Sequence, residues 1–171
     1  MTCALLAALK RKGLNPCAFK CGPDYIDPMF HRSVLGLESH NLDLFLSSEE
    51  TVRSLFSRYS AEHGAAICEG VMGLYDGLGG TTTRASAWHL ANTLQLPVLL
   101  VLRPKGASLT LAATVRGLQN FRPDSHVAGI LLNECKPMLY QTLAPMLARE
   151  TGLPVLGLSL IHISEPTRLG M

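Results

Sequence analysis

Two hydrophobic periods alternate along the chain. Residues 2–12 place Leu5, Leu6 and Leu9 on one face and end in Lys10, Arg11, Lys12 and Gly13, which predicts a helix from the first residues onward. That start is unusual for an α/β domain, whose first element is normally a strand. A short strand is predicted near Cys17 to Lys20, and a second over Ala65, Ala66, Ile67 and Cys68, ending in Glu69. Between them, Ser47 with Glu50 three residues on reads as a capping box. It opens a helix whose core stripe is Val52, Leu55, Phe56 and Tyr59 and which ends near Gly64. A helix around Ala85 to Leu94 follows, with Trp88 and His89 read as packing residues. Pro97 to Leu102 is an apolar run expected to be buried on both faces, as parallel strands are. Ser108 to Leu118 predicts a helix, Val127 to Leu132 a strand, Met138 to Ala148 a helix and Pro154 to Gly157 a last strand. Strands alternating with helices at this spacing predict βαβ units and a mainly parallel sheet.

Composition narrows the class. A chain of 171 residues with 47% hydrophobic content can bury one sizeable core, and one domain is the natural expectation. A net charge of +2 with 16% charged residues gives no basic stripe, so no nucleic-acid partner is expected. The apolar runs are too short to span a bilayer and no signal-peptide pattern opens the chain, so no membrane partner and a cytoplasmic location are expected. Five cysteines, an odd number without a CxxC pair, favour neither a disulfide framework nor a zinc site.

Candidate chemistry lies in two loops. Glu69 to Gly80 holds five glycines in twelve residues and only two carboxylates, Glu69 and Asp76. A buried strand would deliver Glu69 to the mouth of the sheet, where ligands of open α/β sheets bind. A solvated surface loop is the bland alternative. The second loop, Cys21-Gly22-Pro23-Asp24-Tyr25-Ile26-Asp27-Pro28, is turn-rich and sets Asp24 and Asp27 beside Lys20. Such a loop can hold a cation or an anionic substrate.

These segments, from Lys20 to Pro28, Asn41-Leu42-Asp43 and Glu69 to Gly77, together resemble the synthetase domain of cobyrinate a,c-diamide synthases. The likeness continues through Ala112 to Gly117 and Ala128 to Asn133. The fold this resemblance implies is an α/β, doubly wound, mainly parallel sheet of the P-loop NTPase type, akin to dethiobiotin synthetase. The activity it implies is ATP-dependent activation of the a and c side-chain carboxylates of cobyrinate or hydrogenobyrinate as acyl phosphates, then displacement by glutamine-derived ammonia. It implies Mg²⁺ and ATP, a tetrapyrrole polycarboxylate substrate and a C-terminal glutaminase domain, and leaves homodimerisation open. By residue, it suggests Asp43 and Glu69 as Mg²⁺ ligands and Lys20 facing the nucleotide phosphates or the activated carboxylate. Asp24, Asp27 and Asp76 would stand on the acceptor side, and Asn133 would contact adenine. A strand-end lysine and a helix-capping asparagine are the plain alternatives for Lys20 and Asn133.

The chain also departs from the family pattern. No Gly-x-x-x-x-Gly-Lys-Ser/Thr loop occurs, so the P-loop and the interior first strand are expected to lie upstream of Met1. Residues 1–158 then read as a partial amidoligase domain, which alone would not turn over ATP. Residues 159–171 read as a non-native tail resembling translated adapter sequence. None of the cysteines sits in a glutaminase nucleophile motif. His40 stands where the family commonly has Arg, and Leu102-Arg103-Pro104 where an acid commonly follows the strand. The rival readings are a nickel-sirohydrochlorin a,c-diamide synthase on the same scaffold, a partitioning-type P-loop ATPase switch, and a non-functional fragment.

Overall fold

The computed structural model describes residues 1–160; the expected non-native tail falls, from residue 161 on, outside the described residues. The chain forms two compact units. One comprises residues 1–97 with 123–126, and the other residues 98–122 with those from 127 onward.

The first unit is a parallel three-stranded sheet in the order β2 (Ser39–Leu42), β1 (Pro16–Cys21), β3 (Ala65–Glu69). All six residues of β1 are buried, as a central strand with helices on both faces requires. Its odd positions Cys17, Phe19 and Cys21 join Leu42, Leu44, Val52 and Leu90, and Phe19 packs its ring 5.1 Å from that of Phe56. Its even position Ala18 meets Leu6 of α1 (Thr2–Arg11), Leu37 and Ile67. Lys20 is the polar exception, 7% exposed at the carboxyl end of the strand.

Two elements of this unit escape the periodicity. The turn-rich loop runs directly into α2 (Ile26–Leu35), which buries Pro28 and His31 and leaves Ile26, Met29 and Val34 exposed. The four-residue β2 is too short for alternation to register. α3 (Glu49–Ser60) is capped by Ser48, whose Oγ accepts from Thr51 N at 3.2 Å. The expected cap, Ser47, instead donates its N–H to the Asp43 carbonyl, so the true N-cap lies one residue later. A 3₁₀ turn, Leu78–Gly80, and α4 (Ala87–Leu94) follow β3.

The second unit is a parallel sheet in the order β4 (Val98–Leu102), β5 (Val127–Asn133), β6 (Val155–Ser159). α5 (Leu109–Asn120) and α6 (Pro137–Thr151) contribute Leu111, Val115, Leu143 and Leu147 to its buried positions, with Ile130 and Leu132 of β5. The expectation that β4 is buried on both faces fails. Leu99 and Val101 are 43% and 45% exposed, because they share an open sheet face with Leu156. The described residues thus form a mainly parallel α/β fold with six helices.

Candidate active site

Parallel register brings the site together at the carboxyl ends of the first sheet. Lys20 pairs with Asn41 on β2 and with Glu69 on β3. Paired positions share a face, so Glu69 points to the side that holds the lysine. Gly22, at φ 84°, lets the chain leave β1 in the left-handed region, with its N–H on the Leu42 carbonyl. Asp24 then closes a local turn by accepting from Ile26 N at 2.8 Å.

The result is a lysine held by three carboxylates. Lys20 Nζ lies 2.5 Å from Asp27 Oδ2, 3.6 Å from Glu69 Oε2 and 3.9 Å from Asp24 Oδ2. Burial by itself would lower the ammonium pKa. The hydrogen bond to Asp27 and the charges of Glu69, Asp27 and Asp24 outweigh it, and the net shift is upward. The hydrogen bond from Lys20 in turn holds the Asp27 carboxyl below the usual carboxylate range.

Beside this cluster lies a cleft of about 400 Å³ lined by Asp24, Asp43 and Asp76 and by Phe45, Val71 and Met72, among others. Its size falls within the range of small-molecule sites. Asp24 is common to the lysine cluster and the cleft. Asp43 follows β2, and its Oδ1 accepts from Phe45 N at 2.7 Å while Oδ2 is buried without a hydrogen-bond partner. Asp76 Oδ2 accepts from Gly73 N at 2.9 Å. At Gly77 the backbone runs so close to the carbonyls of Thr82 and Arg84 that any side-chain carbon would overlap them, which fixes that wall of the cleft.

An orphaned carboxylate oxygen needs a donor or a cation, so Asp43 fits a place among Mg²⁺ ligands. Glu69 fits less directly, since its carboxylate faces Lys20 and β1 stands between β2 and β3. Among the described residues no group of three or more His, Cys, Asp or Glu side chains suffices to hold a metal alone. Mg²⁺ here would need oxygens from water and a bound phosphate, its usual preference.

Of the predicted site residues, Lys20, Asp24, Asp27 and Glu69 form one cluster, and Asp24, Asp43 and Asp76 line one cleft. Asn133 ends β5 in the other unit, where its Oδ1 is buried without a partner. His40 stacks on Tyr59 with ring centroids 3.8 Å apart, and its Nε2 stands 3.7 Å from Glu38. His89, read as a packing residue, bonds at both ring nitrogens, to Ala85 N and to Glu49. Ser86 caps α4 by accepting from His89 N, a backbone contact that says nothing of the ring.

Fold and site define a parallel α/β domain with an acidic, ligand-sized cleft at its strand ends. No family model matches the chain. It is 44% identical over 157 residues to cobyrinate a,c-diamide synthase of Gloeobacter violaceus, covering 92% of this chain and 35% of that relative. It is 48% identical over 143 residues to the enzyme of the same name from Clostridium acetobutylicum, covering 84% and 32%. The Synechococcus sp. enzyme of that name is 42% identical over 156 residues. The chain belongs to the cobyrinate a,c-diamide synthase family and spans about a third of the length of the curated relatives it matches.

Proposed function

We propose that this chain is the ATP-dependent synthetase portion of an enzyme that converts the a and c carboxylates of cobyrinate or hydrogenobyrinate to amides in cobalamin biosynthesis. The observation that carries the reading is the acid-lined cleft joined through Asp24 to the Lys20 cluster, in a chain 44% identical over 157 residues to a synthase of that name. Phe45, Val71 and Met72 give the cleft exposed apolar walls, suited to the flat face of a macrocycle. Three aspartates beside a polycarboxylate would repel it unless a cation intervenes, which is the place for Mg²⁺ with Asp43 as a direct ligand and Glu69 reaching it through water. When bound, Mg²⁺ supplies charge neutralisation at the transferred phosphoryl group.

The chain's own groups then have distinct tasks. Lys20 fixes the directions of Asp24, Asp27 and Glu69 so that the acceptor carboxylate and ammonia meet a defined charge pattern. ATP binds with its phosphates at the strand ends. Ammonia reaches the activated carboxylate from a glutaminase domain of the whole enzyme and displaces phosphate. Amide formation is thereby driven by the loss of the phosphoanhydride.

The test is a chimera in which residues 1–158 replace the matching segment of the Gloeobacter violaceus relative, assayed with ATP, Mg²⁺, glutamine and hydrogenobyrinate. The expected product is the diamide, identified by mass. Parallel incubation with nickel-sirohydrochlorin separates the two acidic tetrapyrroles as substrates. A folded chimera that amidates neither macrocycle refutes the proposal.

A further inference from the structure

Ala85 lines the cleft at φ 60°, in the left-handed region that residues with a Cβ avoid. Strain of this kind persists only where neighbours over-determine the backbone. The neighbour here is His89, whose Nδ1 lies 3.0 Å from Ala85 N. A backbone N–H can only donate, so Nδ1 carries the lone pair and the ring proton sits on Nε2. Nε2 stands 3.2 Å from Glu49 Oε1 and donates to it. Glu49 is anchored in turn by Arg53 Nη2 at 2.6 Å, and Arg53 Nε donates to the Thr93 carbonyl of α4 at 3.1 Å. The ring of contacts therefore closes between α3 and α4.

Ala85 is also the outer end of the segment that forms one wall of the cleft. Gly77 N donates to the Thr82 carbonyl at 2.8 Å, Leu78 N to the Arg84 carbonyl at 3.0 Å, and Ser86 Oγ to the Thr83 carbonyl at 2.7 Å. Asp76 immediately precedes this compact loop. The backbone direction at Ala85 is thus transmitted to the carboxylate of Asp76 through a short, internally bonded segment.

Building on the proposed function, we propose that His89 is a positioning residue of this site. Its Nδ1, kept free of a proton by the Nε2–H bond to Glu49, holds Ala85 in the left-handed conformation and so fixes the wall that carries Asp76. Two substitutions isolate the effect. His89→Asn places an amide oxygen where Nδ1 stands and keeps the acceptor, whereas His89→Ala removes it. Ala85→Gly removes the conformational penalty itself, because glycine adopts positive φ freely.

In the chimera, His89→Ala is expected to lower kcat/KM for amidation by about tenfold to a hundredfold, the usual consequence of a small misplacement of a reacting geometry. His89→Asn, or Ala85→Gly combined with His89→Ala, should recover most of that loss. A double variant no better than His89→Ala, or a His89→Ala chimera with unchanged kinetics, overturns the proposal. A second measurement needs no activity. In the long-range ¹H–¹⁵N spectrum of the 171-residue chain, His89 should show the neutral Nε2–H tautomer, and the Ala85 amide should shift in His89→Asn. An Nδ1–H tautomer overturns the inference even if the chimera is active, and an inactive chimera with the Nε2–H tautomer discards only the assigned reaction.

Discussion

Lys20 and Asp27 are joined at 2.5 Å, which ties the carboxyl end of the buried strand β1 to the first turn of α2. The lysine is 7% exposed, so water cannot substitute for its partners. Asp24 and Glu69 share the same ammonium, and one residue thereby fixes acids drawn from a loop, a helix and a neighbouring strand.

Replacing Lys20 by Met should therefore cost stability through three uncompensated carboxylates. Breaking a fully buried pair costs about 3–5 kcal/mol, but these acids are 27% to 38% exposed and partly hydrated. A loss of about 1–3 kcal/mol is expected by urea denaturation. Adding Asp27→Asn should return part of it, since the double variant carries one charge fewer. A purely additive double variant would show that the two residues are not coupled.

The same pair sets a pH window. Asp27 has a folded pKa below its unfolded value, so its contribution is complete above the unfolded pKa of about 3.9 and is lost as pH falls through the lower folded value. Lys20 has a folded pKa raised above its unfolded value of about 10.4, so its contribution is complete below that value and is lost as pH rises through the folded one. Denaturation midpoints should be flat with respect to this pair between about pH 4 and 10. In Asp27→Asn the acid-side loss should be smaller than in wild type. Identical acid limbs in the two proteins would remove the pair as its source.

The cysteines give a separate readout of the first core. Burial pushes the thiol pKa up to about 11 at Cys21 and up to about 12 at Cys68, and raises it at Cys17 and Cys135. Reactivity follows the thiolate fraction, so these four should resist alkylation at pH 8 in the native chain. All five thiols should label in denaturant. Rapid native labelling of Cys21 or Cys68, mapped by mass spectrometry, would show that the strands around Phe19 are not packed as described.

How much of this was legible in the sequence depended on the range of the interaction. Strands such as Ala65 to Glu69 announced themselves as a continuous apolar run with Glu69 at its wet end, but the expected burial of this strand fails: Ala66 is exposed and the other four residues are only half-buried. α2 was hidden because Gly22, Pro23, Asp24 and Pro28 all signal a turn, while its exposed residues include the apolar Ile26, Met29, Phe30 and Val34. The face of β4 holding Leu99 and Val101 gave the opposite error, since an apolar run does not say whether anything covers it. Asp24, Asp27 and Lys20 could be grouped by proximity in sequence, but the inclusion of Glu69 follows only from register. The role of His89 needed the φ of Ala85, which no residue type reveals.

Asp43 offers the sharpest separation of a ligand-binding acid from a structural one. Its Oδ1 holds the turn after β2 through Phe45 N, while Oδ2 is buried and unpartnered. Asparagine can keep its oxygen on Phe45 N and place its NH₂ where Oδ2 stood, so the turn survives and one negative charge is lost. Asp43→Asn should thus unfold within about 0.5 kcal/mol of wild type, because the backbone contact is retained. In the chimera the same change should raise the Mg²⁺ concentration for half-maximal amidation about tenfold or more, as expected for removing a hard anionic ligand. An Asp43→Asn chimera with unchanged Mg²⁺ dependence would take Asp43 out of the metal set. A variant that instead unfolds readily would place the role of Asp43 in the turn alone.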